Sequence, residues 1–239
     1  MNTPVFSIIL PFYKQGDHMD RVIEEYKADL RVLNDPFELI IVINGQVDAS
    51  QDMTTEIVSQ DPPITRIVLK KAGWGLAVRC GMNAARGEYV CYTNTARTFV
   101  EELIKILRYA RVNDSAVVKG ARLIRENTAR KLISFIYNLE NRILLHTPVL
   151  DVNATPKVIP KKLLDTMTFV TDDELFCAEV MYNCYEKFVP IIEVPIKWAQ
   201  RKGGKSTTNI KTALRLSSKL PFLKYRICKH RKNTTSKGS

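Results

Sequence analysis

A chain of 239 residues, 45% of them hydrophobic, can bury one large core, which excludes both a disordered polypeptide and a small disulfide-held scaffold. The formal charge of +11 is uneven: from Arg201 onward there are 12 Lys/Arg and no acid, while residues 1–200 hold 24 bases against 25 acids. A near-neutral body with a polycationic end argues against a nucleic-acid binder and for an enzyme whose end meets phosphates or an anionic membrane surface.

The five cysteines, odd in number and without a Cys-x-x-Cys pair, read as reduced thiols of a cytoplasmic protein. The first apolar run is short and lacks a basic lead, so no secretory signal is expected, and no stretch of about 18 apolar residues offers a membrane span.

In chain order, Val5–Leu10 reads as a buried strand ended by Pro11. Asp17 or Asp20 caps a helix with Val22, Ile23, Tyr26, Leu30 and Leu33 on one face. Leu39–Ile43 is a second buried strand, closed by the turn signal Asn44-Gly45. Met53–Ser59 reads as helical, Pro62-Pro63 as a break and Ile64–Leu69 as a third strand. Gly73-Trp74-Gly75 opens a helix that Gly87 closes; Tyr89–Thr93 is a fourth strand, Glu101–Arg111 a helix and Ala116–Lys119 a strand. Farther on, Ala129–Leu145 is a long helix, Asp151–Lys157 a loop, Asp173–Lys187 a helix and Pro190–Val194 a strand. Ile210, Ala213, Leu214, Leu216 and Leu220 share one helical side and Lys211, Arg215 and Lys219 another, which suits a helix lying on a membrane; Lys229–Ser239 reads as disordered. Uninterrupted apolar strands alternating with helices predict an α/β fold, with a mostly parallel sheet covered on both faces. Ligands of such sheets sit at the C-terminal strand ends, which places Pro11–Gln15, Asn44–Asp48 and Asn94–Thr98 on one crevice.

The segments SIILPFYKQGDHMDRVI, ELIIVINGQVDAS and GWGLAVRCGMNAARGEYVCYTN resemble, in that order, the first half of an inverting family 2 glycosyltransferase of the GT-A, Rossmann-like fold. VVKGARLI, DVNATPKVIPKKLL, TDDELFCAEVMYNCYEKFVPIIEVPIKW and RKGGKST are similar to the second half of its polyprenyl-phosphate sugar synthase branch. The match covers about residues 5–206, so residues 1–206 are expected to form the catalytic domain and 207–239 a basic amphipathic appendage. The resemblance implies a nucleotide-diphosphate sugar as donor and a lipid phosphate, or a lipid-linked or surface glycan, as acceptor. It places the protein in cell-envelope glycan synthesis at the inner face of the membrane. It also implies Mg²⁺ or Mn²⁺ on an Asp-x-Asp pair, but that pair falls on Asn94 and Ala96, and the acid often found after the second strand falls on Asn44. Without carboxylates a hard cation is held weakly, arriving only with the nucleotide. Charge developing on the diphosphate then falls to Arg79, Arg97, Arg122, Arg201 and Lys205.

On the donor side, the resemblance sets Pro11, Tyr13 and Gln15 against the nucleotide base, beside Asn44, Asn94 and Thr95. Asp48 either bonds base or ribose or simply forms the turn. Gly73 begins a helix whose N–H groups suit a phosphate, and Arg79 lies one turn in. On the acceptor side come Asp151, Asn153, Pro156 and Lys157, where Thr155-Pro156-Lys157 replaces the Ser-Gly-Phe of many relatives. Arg201–Ser206, including Lys205 and Ser206, suits a lid over a diphosphate. The resemblance makes Asp172 the general base, or a ligand of the acceptor; a helix-capping role is the other reading of Asp172, Asp173 and Glu174. His18, His146 and His230 show no ligand spacing. The alternative to an enzyme is a catalytically silent relative that binds nucleotide or a protein partner.

Overall fold

The computed structural model describes residues 3–13, 19–46, 53–122, 128–197 and 210–235. The elements are β1 (Phe6–Phe12), α1 (Met19–Asp29), β2 (Phe37–Asn44), β3 (Met53–Gln60), β4 (Pro63–Leu69), α2 (Trp74–Ala84), β5 (Tyr89–Tyr92) and α3 (Val100–Arg111). The second half holds β6 (Val117–Arg122), α4 (Thr128–Leu145), β7 (Lys157–Pro160), α5 (Lys161–Leu164), α6 (Phe176–Glu186), β8 (Ile191–Ile196) and α7 (Ile210–Thr235). One sheet contains all eight strands in the order β3-β4-β2-β1-β5-β7-β6-β8. The β4-β2-β1-β5 block and the β6–β8 pair are parallel. Antiparallel pairings bring in β3 at one edge and β7 between β5 and β6.

Alternation along each strand divides the core in two. Ile9, Ile40, Val42, Val90 and Tyr92 pack on one face with α2, α6 and α7 residues. Ile8, Leu10, Leu39, Ile41 and Cys91 pack on the other with α1 and α3. Each such side chain contributes about 1.5–3 kcal/mol on leaving water, which is why the strands read as unbroken apolar runs.

The Ala-Arg-Gly-Glu motif is structural, at the opposite, N-terminal end of the strands. Buried Glu38 takes two bonds from the Arg86 guanidinium, at 2.9 and 2.7 Å, one from the Arg86 N–H and one from the Ser7 hydroxyl. The Gly87 N–H donates to Ser7 Oγ at 2.7 Å, and a Cβ at Gly87 would lie 2.7 Å from the Ser7 nitrogen. The pairing of arginine with a buried carboxylate thus fixes β5 beside β1.

Four expectations are corrected. Met53–Gln60 is a strand rather than a helix: Thr54, Thr55, Ile57 and Val58 are β-branched, and the segment pairs as an edge with β4. Lys157 is not loop but the first residue of β7. The last helix before β8 begins at Phe176, so Asp172, Asp173 and Glu174 precede it and none is its N-cap. Lys229–Thr235, expected to be disordered, continue α7.

Candidate functional site

Because β1, β2, β4 and β5 run parallel, their exits open on one edge of the sheet. Gly45, just past β2, has φ of +78°, and a Cβ there would meet the Tyr13 ring at 2.7 Å and the Ala72 methyl at 3.2 Å. Glycine is required by both its left-handed backbone and this close approach. Buried Asn44 donates from Nδ2 to the Phe12 carbonyl at 2.8 Å and accepts the Gly73 N–H on Oδ1 at 3.2 Å. Asn44, expected to touch the donor, is a strut joining the ends of β1 and β2 to the start of α2.

The glycines that open α2 have a different reason from the expected one. A Cβ on Gly73 would sit 2.5 Å from the Asp172 carbonyl oxygen, and one on Gly75 would sit 2.8 Å from that of Asp173. The Leu76 N–H donates to the Asp172 carbonyl at 3.0 Å. Of the N–H groups at this helix start, expected to suit a phosphate, that of Gly73 is occupied by Asn44 and that of Leu76 by the Asp172 carbonyl, and the glycines let the 172–173 segment press over the helix start.

Asp172 stands between two cations. Lys71 Nζ lies 3.1 Å from Oδ2 and an Arg79 guanidinium nitrogen 2.8 Å from Oδ1; Arg79 also donates to the Phe169 carbonyl at 3.3 Å. The segment leading to Asp172 is clamped by α6. Asn183 bonds both backbone groups of Thr168, and fully buried Glu179 accepts from the Val170 N–H, the Thr171 N–H and the Thr171 hydroxyl. Burial pushes the Glu179 carboxyl above its ordinary pKa, against the pull of those bonds. From outside, α7 grips the same segment through Arg226 to the Val170 carbonyl at 2.8 Å, Lys219 to Asp173 at 2.9 Å and Arg215 to Glu174 at 3.1 Å. Burial opposes ionisation of Asp173, but the bonds from Lys219 and the Leu175 N–H, with the Arg226 charge, hold its carboxyl below the usual value.

After β5 the chain makes a tight turn. The Asn94 carbonyl accepts from the N–H groups of Arg97 and Thr98, both at 3.0 Å, and Asn94 Oδ1 accepts the Ala96 N–H at 3.2 Å. Thr93 bonds Thr98 through their hydroxyls, and Thr95 reaches the Pro11 carbonyl at 3.5 Å. Ala96 is 1% exposed. The two positions expected to correspond to the acid pair, Asn94 and Ala96, thus offer a neutral amide folded onto its own turn and an enclosed methyl, a donor set that does not fit Mg²⁺ or Mn²⁺. Among the described residues no three His, Cys, Asp or Glu side chains gather to hold a metal.

A second polar cluster lies where β6, β8 and the loop before β7 meet. Arg122 grips buried Asp151 with two bonds of 2.7 Å. Lys119, fully buried, donates to Glu193 at 2.7 Å and to the carbonyls of Asp151 at 2.7 Å and Gly120 at 2.9 Å. Burial, with Lys157 adding, pushes the Lys119 ammonium down to about 8. Glu193 in turn accepts the N–H groups of Leu150 and Asp151. Asn153 follows in this loop, with a buried Oδ1 that no described protein group reaches. Lys157, expected on the acceptor side, is enclosed instead: its ammonium donates to the Ala154 carbonyl at 2.7 Å and lies 5.4 Å from the Tyr92 ring centre.

Of the expected residues, the structure joins Tyr13, Asn44, Gly73, Arg79 and Asp172 in one chain of contacts, and Arg122 with Asp151 in another. Pro11 and Thr95 bind each other, and Arg97 sits in the turn after β5. Gln15, Asp48, Arg201, Lys205 and Ser206 lie outside the described residues. Lys71, Lys119, Glu193 and Glu179 were missed. For Lys119, Glu193 and Glu179 the signal was charge set within apolar strand and helix runs, where an unpaired ion is costly; exposed Lys71 gave no such signal.

The sequence profile of glycosyl transferase family 2 matches residues 7–166, and the chain belongs to that family. It is 22% identical over 224 residues to the undecaprenyl-phosphate 4-deoxy-4-formamido-L-arabinose transferase of Serratia proteamaculans (strain 568), covering 88% of this chain and 64% of that protein. It is 21% identical over 224 residues to the dolichyl-phosphate beta-glucosyltransferase of Dictyostelium discoideum, covering 83% of this chain and 68% of that one. The chain thus spans just under two thirds of the length of the arabinose transferase. The glucosyl-3-phosphoglycerate synthase of Mycobacterium tuberculosis, solved with Mn²⁺, uridine diphosphate and glucosyl-3-phosphoglycerate, has a TM-score of 0.65 at 12% identity, over 94% of this chain and 80% of that one. The fold is that of the GT-A glycosyltransferases.

Proposed function

We propose that this chain transfers a sugar, with inversion, from a nucleotide-diphosphate donor to a polyprenyl-phosphate lipid at the inner face of a membrane. The observation that carries the reading is Asp172 held between Lys71 and Arg79 at the shared strand exits of a family 2 fold. The names of the arabinose and glucose transferases support the acceptor class. In this reading an acceptor phosphate oxygen attacks the anomeric carbon from the face opposite the diphosphate. The new carbon–oxygen bond forms as the bond to the nucleoside diphosphate breaks. No proton need be removed, since the acceptor oxygen is already anionic. Asp172 then positions Lys71 and Arg79 rather than acting as a base, and these cations meet charge on the leaving diphosphate. The unfit donor set at Asn94 and Ala96 supports transfer without a resident metal.

The experiment is a panel of radiolabelled nucleotide sugars incubated with undecaprenyl phosphate, with and without EDTA. Product that forms in both arms is expected. Turnover strictly dependent on Mn²⁺ overturns the metal-free reading, and no product with any donor overturns transfer. The second reading, a silent nucleotide-binding relative, is favoured by the same missing carboxylates and would then stand, provided a nucleotide still binds by calorimetry.

A further inference from the structure

Helix α4 carries its polarity the wrong way round for a helix packed on a water-soluble body. Its inward side buries Asn138 and Asn141 beside Tyr137 and Leu145. Asn138 donates to the Leu150 carbonyl at 2.7 Å and accepts the Val152 N–H at 3.1 Å. Arg142 donates to the Val149 carbonyl at 3.2 Å. The inward side therefore holds the loop that carries Asp151 and Asn153. The outward side is apolar: Leu132 is 60% exposed, Phe135 62%, Ile136 47%, Leu139 42% and Ile143 64%. Their spacing of 3, 4, 7 and 11 residues puts them in one stripe, which no other described element covers. Scattered exposed apolar residues need no explanation, but five bulky ones on one helical face do.

We propose that this stripe docks the protein on an anionic lipid bilayer, with α4 lying in the plane of the interface. The charge of the neighbouring element selects this occupant. Helix α7 packs against α4 and carries eight Lys/Arg and no acid over Ile210–Thr235, and among the described residues only two of these, Arg215 and Lys219, are offset by the neighbouring Glu174 and Asp173. A second copy of the chain would bring two such polycations together, whereas an anionic surface attracts them. Docking by α4 also sets the bilayer directly behind the 149–153 loop, where a lipid phosphate would arrive. The inference deepens the lipid-acceptor reading, and because its readout is partition without donor, failure of docking is distinguishable from failure of transfer.

The test floats the full chain with phosphatidylcholine vesicles, with and without phosphatidylglycerol. Wild-type protein is expected to float with the anionic vesicles. The F135E/L139E variant is expected to partition roughly tenfold more weakly or worse. V112E, a change at an exposed residue past α3 on the other sheet face, is expected to keep wild-type binding. Thermal melts of all three check folding. If F135E/L139E does not fold, F135W replaces it, and its added fluorescence should shift to the blue with anionic vesicles. Wild-type protein that fails to float, a variant that floats equally well, or a tryptophan that does not shift each overturns the proposal. So does light scattering that shows a wild-type dimer dissolved by F135E/L139E, which would make the occupant a second copy.

Discussion

Asp172 is exposed enough to meet a substrate, yet its carboxylate is already shared by Lys71 and Arg79. Two roles predict different kinetics. A positioning role predicts that Asp172→Asn lowers kcat on a phosphate acceptor by about 10²-fold, because displacing a cation by a fraction of an ångström misplaces the diphosphate, while the acid limb of the pH–rate profile stays. A general-base role predicts loss of that limb. Steady-state rates across pH for both proteins decide between them. Lys119 makes a separate prediction. Its folded pKa, about 8, lies below the unfolded 10.5, so between these values the unfolded chain binds the extra proton. The stability due to this group is therefore greatest above pH 10.5 and is lost as pH falls through about 8. Lys119→Met leaves Glu193 without its cation and should cost about 3 kcal/mol at pH 7. Denaturant melts from pH 8 upward should show the wild-type advantage growing toward pH 10.5. The charge of Lys119 is plain in the sequence; its partners are not, because Glu193 is 74 residues away.

At the scale of elements, α7 behaves differently from its pattern. The apolar positions Leu216 and Leu220, expected to lie on a lipid surface, are buried in the core with Leu223 and Ile227. Apolar periodicity states that one side leaves water; it does not state what covers that side. The same limit hid α4, whose periodic apolar residues were legible while their outward direction was not. Three of the basic residues of α7, Arg215, Lys219 and Arg226, brace the Asp172 segment. The Arg215–Glu174 and Lys219–Asp173 pairs are half exposed, so each contributes only about 0.2–1 kcal/mol. The R215A/K219A variant is accordingly expected to melt within a few degrees of wild type. Amide exchange over residues 170–176 should nevertheless quicken, and the donor KM should rise. Unchanged exchange there would show that α6, through Glu179 and Asn183, holds the segment alone.

For the whole molecule, the sheet order sets what the site can be. Parallel exits of β1, β2, β4 and β5 gather four loops on one edge. The antiparallel insertion of β7 brings Asp151 and Asn153 to the second cluster. Among the described residues no helix is long and apolar enough to cross a membrane. Turnover by the intact chain is expected to fall less than about tenfold in EDTA, since guanidinium and ammonium groups can meet diphosphate charge without a cation. Rates at matched donor concentration check this.

The sequence by itself determined the α/β class, the strands that the sheet buries on both sides, and the family. These follow from local composition and order, which a linear reading retains. Only the tertiary structure decided that Asn44 is a strut, that Gly73 and Gly75 make room for Asp172, that Lys71 shares its carboxylate, and that α4 faces outward while α7 faces in. Each depends on which distant segment approaches, and that is set by packing among elements rather than by the pattern within any one of them.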